Sequence, residues 1–266
     1  MELLTVIEAC VDSVESARAA LAGGADRLEL CDNLVEGGTT PSAGMIAMCR
    51  DAVALPLFVM IRPRGGDFVC SDDEAGVMRR DVESAVALGA GGIVTGALTS
   101  AGDVDEPRMR TLVEAAGTVP VTFHRAFDVC RDRSAALGML ARLGVRRVLT
   151  SGGAATALEG AGEIRRLVGQ AEGRLTIVAG GGINELNARQ VVEATGVREI
   201  HVRCAAAVAG AGPWNAAIRF RRVPDLDERS RLVSSTARLR LVRHQTSHDS
   251  LTDSLPPRIA GSGPGR

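Results

Sequence analysis

This sequence predicts an α/β fold: a (β/α)8 TIM-type barrel followed by an irregular or disordered C-terminal tail. Three observations carry that prediction. First, an amphipathic helix, a Gly and a short apolar strand recur as one unit, in residues 19–30, 86–95, 140–150 and 192–201. Gly just past a helix supplies the left-handed residue that ends it, and the chain turns straight into a strand. Second, eight strands can be counted with seven helices between them, the alternation of βαβ units around a parallel sheet. Third, a length of 266 residues suits one barrel; the alternative, a doubly wound sheet, rarely needs eight such evenly spaced units.

In order, the first strand begins near Leu3 and ends in Glu8-Ala9-Cys10, and a helix over 13–22 stops at Gly23-Gly24. The second strand begins near Asp26, ends in Glu29-Leu30-Cys31, and precedes a helix over 43–53. The third begins at Leu57 and runs through Ile61 into the polar burst Arg62-Pro63-Arg64-Gly65-Gly66-Asp67-Phe68, before a helix over 72–88. The fourth starts near Gly92, with a helix over 106–116 after it. The fifth starts near Val119 and runs into a second polar burst, His124-Arg125-Ala126-Phe127-Asp128, then a helix over 133–143. Strands from Arg146, Leu175 and Arg198 alternate with helices over 156–171 and 185–195. The barrel is expected to occupy residues 1–220. After Trp214 the chain turns Arg- and Ser-rich; a closing helix is expected within 221–246, about Leu232 to Val242, and a disordered tail over 247–266.

Composition narrows the function classes. Hydrophobic residues make up 45% and aromatics only 2%, so the core must be built from Ala, Val, Leu and Ile. A net charge of -1 offers no polyelectrolyte footprint, which argues against a nucleic-acid partner. No run approaches the ~20 apolar residues that span a bilayer, so no membrane association is expected. The start, with Glu2 and no basic segment, does not read as a secretory signal. A cytoplasmic location follows, with the six cysteines reduced. All 31 basic residues are Arg, so no lysine is present to form a Schiff base, and the absence of Tyr removes phenol chemistry.

Strand ends are where such barrels place chemistry. Side chains two apart share a face, so Glu8 and Cys10 point together, as do Glu29 and Cys31. The pairs lie one βα unit apart, on neighbouring strands about 4.8 Å from each other. That brings the two thiols within reach of one soft ion such as Cu(I). The alternative is that both are small core hydrophobes. Arg62, Arg64 and Arg125 can hold a carboxylate or phosphate, or can neutralise Glu8 and Glu29 internally. His124 is a candidate general acid-base oriented by Asp67 or Asp128, or else a structural histidine. Ser151-Gly152-Gly153 and the glycines at 180 to 182, Gly181 among them, fit an anion-binding turn or merely a tight one. Cys49, Cys70 and Cys130 lack metal-ligand spacing.

Together these segments resemble the CutC family, long called copper homeostasis proteins. The resemblance runs through Glu8-Ala9-Cys10, Glu29-Leu30-Cys31, residues 36–42 (EGGTTPS), 62–68 (RPRGGDF), Thr95-Gly96, 122–128 (TFHRAFD), Leu149-Thr150-Ser151-Gly152 and the glycines at 180 to 182. It implies a TIM-type barrel in the cytoplasm and Cu(I) ligation by Cys10 and Cys31, hence copper homeostasis with the copper ion as partner. Two departures stand out: Arg203-Cys204 follow His201 where relatives carry small residues, and the tail lacks the family's recognisable closing helix. The second reading is an enzyme or sensor for a small anionic metabolite, a phosphorylated one included. There Arg62, Arg64, Arg125, Ser151, Gly152 and Gly181 would bind the anion, and His124, Glu29 and Asp67 would be the catalytic candidates. Assembly as a homo-oligomer stays open.

Overall fold

The computed structural model describes residues 5–213, 227 and 229–247. Eight strands close into a parallel barrel in sequence order. They are β1 (Val6–Val11), β2 (Arg27–Leu30), β3 (Leu57–Met60), β4 (Gly92–Thr95), β5 (Val121–Phe123), β6 (Arg147–Thr150), β7 (Thr176–Gly180) and β8 (Glu199–Val202). The seam joins β1 to β8, with Ile7 opposite Ile200 and Glu8 opposite His201. Seven helices alternate with them: α1 (Val14–Ala22), α2 (Ala43–Ala52), α3 (Asp72–Ala87), α4 (Glu106–Ala116), α5 (Arg133–Arg142), α6 (Ala161–Ala171) and α7 (Ala188–Thr195). The fold is the expected TIM-type barrel.

Local chemistry sets the element ends. Ser71 and Glu74 form a reciprocal capping box on α3, whose first turn holds Asp72, Asp73 and Glu74 against the positive end of the helix dipole. The sixth helix starts five residues later than expected, because Thr156 and Glu159 cap each other in a separate turn. Likewise α7 starts at Ala188, after Asn184 and Asn187 close a turn of their own.

After the barrel, β9 (Ala205–Ala209) pairs antiparallel with β10 (Ser230–Ser234). Then α8 (Thr236–Thr246) packs on α1 and α7, the place of the eighth barrel helix. Residues 232–234 are thus strand, and the helix expected from Leu232 begins where the Ser235 side chain accepts from the Arg238 backbone N–H. The apparent lack of a closing helix is corrected accordingly: Leu239 and Val242 are fully buried, and Gly23, which caps the C-terminus of α1, makes room for Leu239, since a Cβ there would meet Leu239 Cβ at 2.6 Å. Leu3, residues 214–226 and the tail from 248 lie outside the described residues.

The alternation of strand side chains makes two interiors. Outward positions such as Ile7, Ala9, Leu28, Leu30, Val59 and Ile61 form the apolar layer beneath the helices. Inward positions are different: Cys10, Cys31, Phe58, Met60 and Val94 make a small separate cluster. Around its base lie charged groups. Arg27 pairs with Glu8 at 2.5 Å and with Glu199 at 2.6 Å, and Arg147 reaches Glu199 at 3.2 Å. The Phe58 ring is flanked by both guanidinium groups, at 4.8 Å from Arg27 and 5.0 Å from Arg147. Gly92 leaves the space for that ring, because a Cβ there would stand 2.5 Å from it.

Candidate functional site

The inward row continues upward to the C-terminal ends of the strands. Cys10 and His201 lie within β1 and β8, Met60 ends β3, Cys31 and His124 directly follow β2 and β5, and Arg62 stands two residues past β3. All line one cavity of about 330 Å³. Arg62 and His124 therefore share the same end of the barrel, as the strand-end reading requires.

One wall of the cavity is a thiol and carboxylate cluster. Cys10, Cys31 and Glu29 are buried, and their ligand atoms all lie within 4.8 Å of one another. Cys31 Sγ donates to Glu29 Oε1 at 3.3 Å. The adjoining Cys31 thiol, helped by the nearby His201 charge, holds the Cys10 thiol down at about 5 despite burial. The same contact with Cys10, together with burial, pushes the Cys31 thiol well up. Burial, reinforced by Cys10 and Glu8, pushes the Glu29 carboxyl up to about 8. Burial also opposes charge on Glu8, but His201 and Arg27 outweigh it and hold that carboxyl well below the usual range. His201 Nδ1 lies 2.8 Å from Glu8 Oε1 and 3.7 Å from Glu29 Oε2. Burial alone would lower His201, yet Glu29, Cys10 and Glu8 keep it charged far above the ordinary histidine range. The cluster is thus a carboxylate, an imidazolium and one thiolate, packed together in the buried wall of the cavity.

The opposite wall holds Arg62, His124 and Arg125. Arg62 donates to the carbonyls of Glu36, Gly38 and Gly66, which ties the RPRGGDF loop to the loop after β2. His124 Nδ1 accepts from the Ala126 backbone N–H at 3.2 Å and so caps a short turn. Burial and the adjacent Arg62 charge push His124 down to about 3. Neither Asp67 nor Asp128 orients it, contrary to the sequence reading. Asp67 is exposed and bound to Arg64 and Val69, while Asp128 turns to the β6 loop.

Arg64 is corrected as well. Its half-exposed side chain points away from the cavity and pairs with Glu74 at 2.5 Å and Asp67 at 3.2 Å. Ser151, Gly152 and Gly181 cluster beside Arg125, but the turn they make already holds an internal anion. Asp128 accepts from Ser151 N at 2.9 Å, Gly153 N at 3.1 Å and Ser151 Oγ at 2.9 Å, and pairs with Arg125 at 2.7 Å. Gly152, at φ +74°, is required by the turn itself: a Cβ would come within 2.4 Å of the Gly160 carbonyl oxygen. Arg203 lies outside the cavity, 3.7 Å from Asp12, in a wider neighbouring hollow of about 410 Å³ whose lining includes no thiol. Sequence reasoning missed Met60, although Phe58, Met60 and Arg62 share the inward face of β3 by alternation. It also missed Arg27, Arg147 and Glu199 beneath the cluster.

Comparison with known proteins shows the family and agrees with the fold. The chain is 51% identical to the human copper homeostasis protein cutC homolog over 196 residues, covering 74% of this chain and 72% of the human one. A family protein CutC of Bacteroides fragilis is 44% identical over 252 residues, 94% of this chain and 98% of that one. A crystal structure described as the copper homeostasis protein CutC of Streptococcus agalactiae superposes with a TM-score of 0.72 at 35% identity, covering 74% of this chain and 98% of that one. A thiamine phosphate pyrophosphorylase from Pyrococcus furiosus, at 18% identity and a TM-score of 0.54, shares the fold alone. The family model described as the CutC family matches residues 5–206, the span that carries the whole barrel and both walls of the cavity, and the chain belongs to that family.

Proposed function

We propose that this chain acts in copper homeostasis in the cytoplasm and takes Cu(I) as cargo through Cys10 and Cys31. The observation that carries the reading is the buried pair of thiol sulfurs, within 4.8 Å of each other and of Glu29. The donor set fits the ion: thiolates select Cu(I), and the Met60 thioether lines the same cavity. All six cysteines are free, as a reducing compartment requires, and among the described residues no helix is long and apolar enough to cross a membrane. Ligation needs deprotonated sulfur, and Cys10 is already held toward its thiolate. Competition with a Cu(I) chelator tests this. The wild type should retain Cu(I) and the Cys10→Ala/Cys31→Ala double variant should lose it to the chelator; equal retention refutes the reading.

A second reading, an enzyme or sensor for a small anionic metabolite, is favoured by one observation. The wall opposite the thiols carries Arg62, His124 and Arg125, and a bare copper carrier has no evident use for cations there.

A further inference from the structure

Arg62 is 8% exposed, and its charge persists at every accessible pH. Its Nη atoms donate only to backbone carbonyls. Among the described residues no carboxylate forms an ion pair with it; the exposed Glu36 acts on it through space alone. Its Nε is buried without a hydrogen-bond partner. A buried guanidinium in that state is an uncompensated charge, and it favours an anion that can reach it. Its carbon Cζ sits 5.0 Å from the centre of the Phe68 ring.

His124 stands on the same ring, with centroids 5.1 Å apart, and is 3% exposed. Because its Nδ1 accepts from Ala126 N, the proton of the neutral ring resides on Nε2. That Nε2 is also buried and unpartnered. Two single N–H donors grouped about one phenyl ring, on residues that line one cavity, are therefore without acceptors.

We propose that this wall binds a small monocarboxylate with an apolar body, its two oxygens accepting from Arg62 Nε and His124 Nε2. The proposal rests on the anionic-metabolite reading and narrows it; it is independent of the copper reading. One negative charge matches the one uncompensated guanidinium. A phosphate would want several backbone N–H donors, and the turn after β6, which lies beside Arg125, already gives its own to the Asp128 carboxylate. Leu34, Met60, Phe68, Val129 and Leu149 supply apolar surface for the rest of the ligand.

Calorimetric titration with benzoate, butyrate and phenyl phosphate at fixed ionic strength tests it, using the wild type, His124→Asn and His124→Gln. Asn keeps an acceptor near the place of Nδ1 but has no group at Nε2; the Gln amide extends to that place. Both carboxylates should bind the wild type, with phenyl phosphate at least tenfold weaker. His124→Asn should weaken benzoate about tenfold or more, the worth of one charge-assisted hydrogen bond, and His124→Gln should recover part of it. Thermal melts of the variants confirm that they are folded. Binding of phenyl phosphate alone overturns the carboxylate assignment and leaves the anionic-metabolite reading standing. No binding of any of the three at millimolar concentration overturns both. Benzoate affinity unchanged in His124→Asn overturns this seat for the ligand.

Discussion

Protonation of His124 is an acid weakness of this barrel, and its size follows from the structure. The ring is buried between Phe68, Phe123 and the Arg62 charge, and is pushed down from 6.5 to about 3. An unfolded chain releases it to the ordinary value, so between those limits the unfolded state binds one more proton than the native state. The stability due to a neutral His124 is therefore full above the ordinary value and falls as the pH drops through it. From pH 7 to pH 5 the loss is about 2 kcal/mol, at 1.36 kcal/mol per pH unit below the unfolded value. Glu29 works in the opposite sense, since a carboxyl pushed up to about 8 stabilises the native state toward acid. The Cys10 thiolate, held down at about 5, adds its own loss toward acid, so wild-type stability alone mixes all three. Equilibrium urea unfolding of the wild type and His124→Asn at both pH values cancels the Glu29 and Cys10 contributions in the difference. The variant loses its pH-independent packing but should fall by about 2 kcal/mol less than the wild type on acidification. Parallel pH dependences would show that His124 is not held neutral by its surroundings, and would sink the argument.

Two further outcomes are expected. Arg27→Met keeps most of the packing on Phe58 but takes from Glu8 and Glu199 the cation they share, leaving them His201 and Arg147, and urea unfolding should show a loss of about 3 kcal/mol, the lower end of the cost of breaking a buried pair. Leu239→Ala opens a cavity where α8 meets α1 and should cost about 2–5 kcal/mol; a change within about 0.5 kcal/mol, as for surface positions, would mean that α8 does not close the barrel.

The barrel was legible because its units repeat and because strands buried on both faces leave no amphipathic ambiguity. Cys10 and Cys31 could be placed together from alternation and strand adjacency alone. Alternation also explains the failure at Arg64. It shares parity with Arg62, but β3 ends at Met60; beyond the last ladder bond the chain no longer keeps a strand's period, and Arg64 swings outward to Glu74. Asp128 was read as a partner for His124 because both stand at one strand end. The donors of residues 150–153 claim it instead, a contact between two βα loops that no local spacing reports. The closing helix was obscured by its Arg-rich composition, yet those arginines anchor it: Arg243 donates to the Thr5 and Gly24 carbonyls and Arg238 to Glu185.

The interior charges gain a purpose when followed from the base of the barrel to its mouth. Arg27 and Arg147 share Glu199, Arg27 also holds Glu8, and Glu8 holds His201. Each charge is compensated by the next, so the row ends with a fixed imidazolium beside the two thiols rather than with an apolar plug. In the proposed copper reading that ending matters. Two thiolates and one univalent cation carry a net charge of minus one, which a buried site disfavours. The His201 charge offsets it, and that charge is supported by Glu29, Cys10 and Glu8 together, with Glu8 in turn kept ionised by His201 and Arg27. An apolar substitution of the lower layer that preserved the fold would remove part of that support, so the charged base and the soft-donor mouth form one electrostatic unit.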